Sequence, residues 1–150
     1  MARVTRTRTV EAPIGDVWKL VSDPYSLPRW WPRTARVENV DAKPGGKRTQ
    51  WTKVLQTAEG RGVRADFRCV SSAERERYVW EQELEGTPFE RHLKGLRVEI
   101  GLRERDGGTK VSLTEEQSLK GMSKLGSPLM RRARGEALNE ALDGIERALT

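Results

Sequence analysis

The sequence predicts an α+β domain: a curved, seven-stranded antiparallel sheet around a long C-terminal helix, with two short helices after the first strand. Three features predict it. The chain opens on a Val/Thr segment of period two. Six more strand-like segments then follow one another, separated by Gly, Pro and Ser turns. An apolar stripe of helical period closes the chain. The 150 residues suit one domain spanning 1–150, with a core burying roughly 68–70% of the surface the unfolded chain exposes.

The elements can be justified in order. "RVTRTRTVE" sets Thr5, Thr7 and Thr9 against Val4, Arg6, Arg8 and Val10; β-branched residues with period two read as a strand. Ala12-Pro13 ends it, and Pro13 suits a first helical position. Ile14, Val17, Trp18 and Val21 then recur at i, i+3, i+4 and i+7, predicting an amphipathic helix over 13–22. Asp16 in its first turn suits the helix dipole. The prolines of "SDPYSLPRWWP" limit any further helix to a turn or two, expected over 26–31 with Ser26 as cap. Strands are expected near 34–42, 47–57, 62–71, 75–85, 89–105 and 109–119. The turns "KPGGK", "AEGRG", "SSAE", "EGTP" and "RDGGT" between them mark consecutive hairpins. "KGMSKLGSP" breaks the pattern. Ser127 is a good N-cap and Pro128 a good first residue for a helix running to Leu149. Met130, Ala133, Ala137, Leu138, Ala141, Leu142, Ile145 and Leu149 form its stripe. At ~1.5 Å per residue it matches the width of a small domain and needs a sheet to cover it. A sheet folded around one helix leaves a gap, and the Trp30-Trp31 corner lies at its mouth.

Composition narrows the function classes. No apolar run is long enough to span a membrane, and the basic N-terminus lacks the apolar core of a signal peptide. The one cysteine, Cys69, excludes an internal disulfide and fits a reducing compartment, so the cytoplasm is expected. A net charge of +6 favours anionic partners. The basic residues are interspersed with acidic ones, and the "RRAR" cluster, Arg131 to Arg134, reads as a solvated helix face. A nucleic-acid binder would interleave its basic stripe with exposed aromatics; here the aromatics fall in phase with the core. One His and one Cys cannot build a His- or Cys-rich metal site, and no cofactor cradle is present: no metal and no cofactor are expected.

"VEAPIGDVWKLVSDPYSLPRWWPRTARVENV" resembles the opening of the START-like, Bet v 1-like (SRPBCC) superfamily, and most of all its polyketide cyclase/dehydrase branch. The resemblance rests on a strand ending in Ala12-Pro13, the Val17-Trp18 pair, and the Trp30-Trp31-Pro32 corner. "GGTKVSLTEEQSLKG" is also similar to the family's penultimate segment. The likeness covers nearly the whole chain. It implies the helix-grip fold and a hydrophobic small molecule held in an internal pocket.

Candidate site residues are polar groups in phase with apolar ones, and flat rings near the corner. Glu115 and Gln117 share a face with Val111 and Leu113. A buried carboxylate needs a partner, a wet pocket or a ligand, so Glu115 is either catalytic or in an ion pair with an arginine. His92, the one histidine, shares parity with Leu96, Val98 and Ile100, which would aim it inward as a proton carrier; Gly95 between them signals a bulge that would break the count. Of Trp30 and Trp31, one is expected to anchor the corner and the other to line the pocket. Trp51, Phe67, Tyr78, Trp80 and Gln82 are expected to add walls from the sheet, and Met130 and Leu138 from the helix. Lys53 has the parity of Trp51, which would put one of the two at a strand end or rim. Cys69 is expected to face inward as a small hydrophobe.

Three functions compete. The first is an enzyme that orients and cyclises or dehydrates a polyketide-like molecule, docked by an acidic acyl carrier protein at a basic mouth. The second is a carrier or sensor of a lipid or hydrophobic metabolite, with "KGMSKLG" as a gate hinge. The third is a co-chaperone-like interaction module, which would have a filled core.

Overall fold

The computed structural model describes residues 2–56, 62–119 and 128–150. Strand β1 (Ala2–Val10) leads to helix α1 (Ile14–Val21), a 3-10 turn (Pro24–Ser26) and helix α2 (Leu27–Trp30). The meander follows: β2 (Thr34–Asp41), β3 (Gln50–Leu55), β4 (Val63–Ala73), β5 (Arg77–Glu83), β6 (Leu93–Arg105) and β7 (Gly108–Leu119). Helix α3 (Pro128–Leu149) ends the chain. The seven strands form one antiparallel sheet, ordered β1-β7-β6-β5-β4-β3-β2, that curves around α3.

Consecutive hairpins explain five of the six strand neighbours, since short turns force sequence neighbours to pair. The sixth pair joins β1 to β7, with Val4 opposite Glu115 and Val10 opposite Thr109. The buried Thr109 hydroxyl donates to the Ala12 carbonyl at 2.8 Å, fastening the chain where β1 gives way to α1. Arg8 on β1 reaches α3, pairing with Asp143 and, at 2.7 Å, with Glu146.

Helix α1 buries Val17, Leu20 and Val21, the spacing of one face. Helix α3 buries Leu138, Ala141, Leu142 and Ile145. Its first turns behave differently: Met130 is 39% exposed and Ala133 is also exposed, so the stripe is covered only from Ala137 onward. Gly144 is buried against α2, where a Cβ would lie 2.7 Å from the Cα of Trp30.

Local chemistry accounts for the differences from the sequence reading. Ser26 occupies the cap position of α2 but makes no side-chain cap bond. Asp23 instead caps the preceding 3-10 turn, accepting from Tyr25 N at 3.0 Å and from Ser26 Oγ at 3.3 Å. Strand β3 starts at Gln50, later than expected, because residues 43–49 turn through Gly45 (φ 76°) and Gly46 (φ 87°). Strand β6 starts at Leu93. Pro88 opens a 3-10 turn over Pro88–Arg91 ahead of it, and the expected irregularity at Gly95 is present as a register shift between Leu93 and Gly95. The "AEGRG" turn up to Arg61, the "KGMSKLG" segment and the Ser127 cap lie outside the described residues.

Candidate functional site

The two tryptophans of the corner divide their work. Trp30 is the last residue of α2, is 2% exposed, and packs in the core against α3. Trp31 is the helix's C-cap with extended backbone (φ −85°, ψ 129°), so the chain turns between them. The two rings stand at 85° with centroids 5.4 Å apart. Helical geometry sends Trp30 into the core; the extended residue after it sends Trp31 into a cavity of about 380 Å³ between the sheet and α3.

One wall of that cavity is aromatic: Trp31, Phe67 of β4 and Trp80 of β5, with Phe89 and Leu96 nearby. Trp31 meets Trp80 edge to face, centroids 5.4 Å apart. The lining also carries polar side chains: Lys53 of β3, Gln82 of β5, Glu115 and Gln117 of β7, and Arg134 of α3. Alternation along each strand delivers these side chains to the concave face.

Lys53 departs most from the sequence reading. Both it and Trp51 point inward, 6% and 2% exposed, so neither sits at a rim. A lysine is tolerated there because its stem packs as an apolar chain while its ammonium lies on π faces. Its Nζ is 4.7 Å from the Phe67 ring centroid and 5.4 Å from that of Trp31. Among the described residues no carboxylate lies within 4.0 Å of it. Desolvation lowers its pKa to about 8, against a smaller opposing pull from Glu115.

Glu115, 7% exposed, is held by Arg134, whose Nε lies 3.5 Å from Oε2. Burial pushes its carboxyl above the usual range, while the charges of Arg134 and then Lys53 pull it back. With its amide oxygen turned toward the guanidinium, Gln117 accepts from Arg134 Nη2 at 2.6 Å and Nε at 3.1 Å. Arg134 therefore ties α3 to two neighbouring inward positions of β7. It was hidden in the "RRAR" cluster, of which Arg131 and Arg132 are exposed as a solvated face requires. The signal that could have found it is spacing: Arg134 lies four residues before Leu138 and three before Ala137, on the edge of the buried stripe. For Lys53 the signal was its shared parity with Trp51.

The remaining candidates scatter. Trp51 and Tyr78 are 2% exposed and packed behind the cavity wall; Leu138 is buried in the core. Burial, and after it the neighbouring Cys69 thiol, raise the pKa of the Tyr78 hydroxyl. Met130 lies away from the cavity on the exposed start of α3. His92 is exposed rather than inward: it caps the 3-10 turn ahead of β6, before the alternation that its parity assumed has begun. Cys69 is buried, its thiol donating to the Ser71 carbonyl at 3.4 Å and pushed up in pKa chiefly by burial.

A single sheet gripping one long helix, with a half-aromatic, half-polar cavity between them, defines a helix-grip pocket protein. The chain belongs to the family described as "Polyketide cyclase / dehydrase and lipid transport", whose model matches residues 1–150. Solved structures agree on the fold. A START superfamily protein from Mycobacterium smegmatis superposes with a TM-score of 0.77 at 15% identity, covering 98% of this chain and 96% of that one. A protein from Thermus thermophilus gives 0.76 at 22%, covering 99% and 97%. The di-domain ARO/CYC protein BexL, from the BE-7585A biosynthetic pathway, gives 0.76 at 16%, covering 99% of this chain and 50% of that one. Among curated proteins, none matches the chain by sequence. Among the described residues no helix is long and apolar enough to cross a membrane.

Proposed function

We propose that this protein binds a planar, hydrophobic, aromatic or polyketide-like molecule in the cavity, with an anionic or carbonyl oxygen of that molecule directed at Lys53. The observation that carries this reading is the Lys53 ammonium itself, buried on two aromatic faces without a carboxylate beside it among the described residues. A desolvated cation in that position gains most from an oxygen the protein does not supply. Trp31, Phe67 and Trp80 provide rigid walls for flat rings.

The reaction class the site suits best is proton transfer at an enolisable carbonyl, as in a cyclase or dehydrase. Lys53, with its pKa lowered to about 8, and Glu115, with its carboxyl raised, bring an acid and a base toward neutrality in one pocket. Lys53 would hold the developing enolate, and positioning of the chain between the walls would do the rest. On this reading residues 1–150 are one domain working in the cytoplasm, and Arg33, exposed at the cavity mouth, offers a cation to an acidic acyl carrier protein. Carriage without turnover is the second reading. It is favoured by the Arg134 clamp on Glu115, which ties up the carboxylate a catalyst would need free.

The test is native mass spectrometry of freshly purified protein, with extraction and identification of what co-purifies, followed by tryptophan-fluorescence titration with aromatic carboxylic acids and ketones. Binding that is lost in Lys53→Met and Trp31→Ala supports the pocket. Turnover lost in Glu115→Gln with binding retained selects the enzyme over the carrier. A clean apo mass with no binding across the panel rejects both and favours a protein partner.

A further inference from the structure

We propose that Lys53 is a nucleophilic amine that condenses with an aldehyde or ketone ligand to form an imine inside the cavity. The inference rests on the pocket reading above and goes beyond it: a covalent bond replaces a charge contact.

Three structural observations combine. The first is access, since Lys53 lines the cavity and its Nζ sits between the Phe67 and Trp31 rings where a flat carbonyl ligand would lie. The second is the absence, among the described residues, of a carboxylate within 4.0 Å that would pin the group as an ammonium. The third is an acid in the same cavity: Glu115 also lines it, near enough to Lys53 for their charges to act on each other, and Arg134 anchors it. Desolvation, which lowers the Lys53 pKa to about 8, leaves far more free amine at neutral pH than an ordinary lysine has.

The step balances. The Nζ lone pair attacks the carbonyl carbon as the C=O π bond opens, and the oxygen takes a proton from the Glu115 carboxyl, giving a carbinolamine. The nitrogen loses a proton to the Glu115 carboxylate. Its lone pair then expels the hydroxyl as water, protonated by the same carboxyl, leaving a C=N⁺ bond. Amine, carbonyl and one proton become iminium and water, and no oxidant or reductant is consumed. The bound carbonyl is thereby activated toward proton loss at its neighbouring carbon, the same class of chemistry the pocket reading assigns.

The experiment treats the full chain with naphthaldehyde and cyanoborohydride, which reduces an imine to a stable amine, and maps the modified peptide by mass spectrometry. Naphthalenemethanol, which has the same ring but cannot form an imine, reports binding by tryptophan quenching. The expected result is one adduct, at Lys53, forming at least about tenfold faster than at any exposed lysine. The alcohol should suppress it, Lys53→Met abolish it and Glu115→Gln slow it. If Lys53→Met fails to fold, the mapped position in the unaltered chain still decides. Labelling spread over exposed lysines while the alcohol binds overturns the imine and leaves the pocket standing. Failure of both compounds to bind overturns both.

Discussion

Gly144 of α3 touches the backbone of Trp30: a Cβ placed on Gly144 would come within 2.7 Å of the Trp30 Cα. The tryptophan corner is thus locked to the helix through main chain, which cannot rotate away. Gly144→Ala should destabilise by about 1–3 kcal/mol through overpacking, despite a gain of roughly 1 kcal/mol in helix propensity. Gly135→Ala is the control. There the obstructing group is the Arg6 guanidinium, a flexible end that can swing aside, so propensity should dominate and stability hold or rise. Thermal melts of both variants check this.

Lys53 gives the protein an alkaline signature. Its folded pKa, about 8, lies below the ordinary lysine value of 10.5, so between those values the unfolded chain binds more protons than the folded one. Stability therefore rises with pH across that window, and below it the buried charge costs on the order of 3 kcal/mol. Lys53→Met removes the charge and keeps the stem. It should be more stable than wild type at neutral pH, with the difference shrinking as pH climbs from about 8 to about 10.5. Paired melts across that range test it; a difference that does not change with pH contradicts the buried ammonium.

Arg134→Met leaves Glu115 buried without its partner. Arg134 is itself partly exposed, so the loss at neutral pH should be about 1–3 kcal/mol, below that of a fully buried pair. Burial, the largest influence on Glu115, holds its folded pKa above the unfolded value, so the folded state keeps its proton longer and stability falls as pH rises through the folded value. Removing Arg134 should push that value higher. Glu115→Gln should gain on wild type over the same rise. The carbon shift of the labelled Glu115 carboxyl, followed by NMR, reads the titration directly.

The corner separates stability from binding. Trp30→Ala should cost about 3–5 kcal/mol, as expected for a large core side chain. Trp31→Ala should cost less and instead weaken aromatic ligands by about tenfold or more. His92→Ala, on the exposed turn, should leave stability within about 0.5 kcal/mol and ligand affinity unchanged. Denaturant melts and fluorescence titrations distinguish the three.

The fold was legible because its signals are periodic. Val4, Val10 and the β-branched residues between them, the turn glycines, and the stripe from Ala137 to Ile145 each specify an element without tertiary help. Glu115 and Gln117 were legible for the same reason, as polar residues at inward positions of a regular strand. His92 was misread because parity holds only inside a strand, and Pro88 delays β6 until after it. Lys53 was misread because hydrophobic patterning treats every lysine as solvent-facing, whereas the cavity has aromatic faces to receive one. Arg134 was hidden among exposed arginines, and only its spacing to Ala137 and Leu138 set it apart from them.

The pairing of β1 with β7 also imposes an order of assembly. Strands β2 to β7 can zip hairpin by hairpin, but β1 must wait for β7, and α3 for the sheet. Non-local closure of this kind is slow, on the order of milliseconds to seconds. In stopped-flow refolding, fluorescence of the sheet tryptophans should therefore move before the ellipticity of α3. The aromatic floor of the cavity exists first and faces water. Lys53 of β3 and Glu115 of β7 come with the sheet, and Arg134 of α3 is laid over the carboxylate last, so the interval between the two is when this chain is most exposed to aggregation.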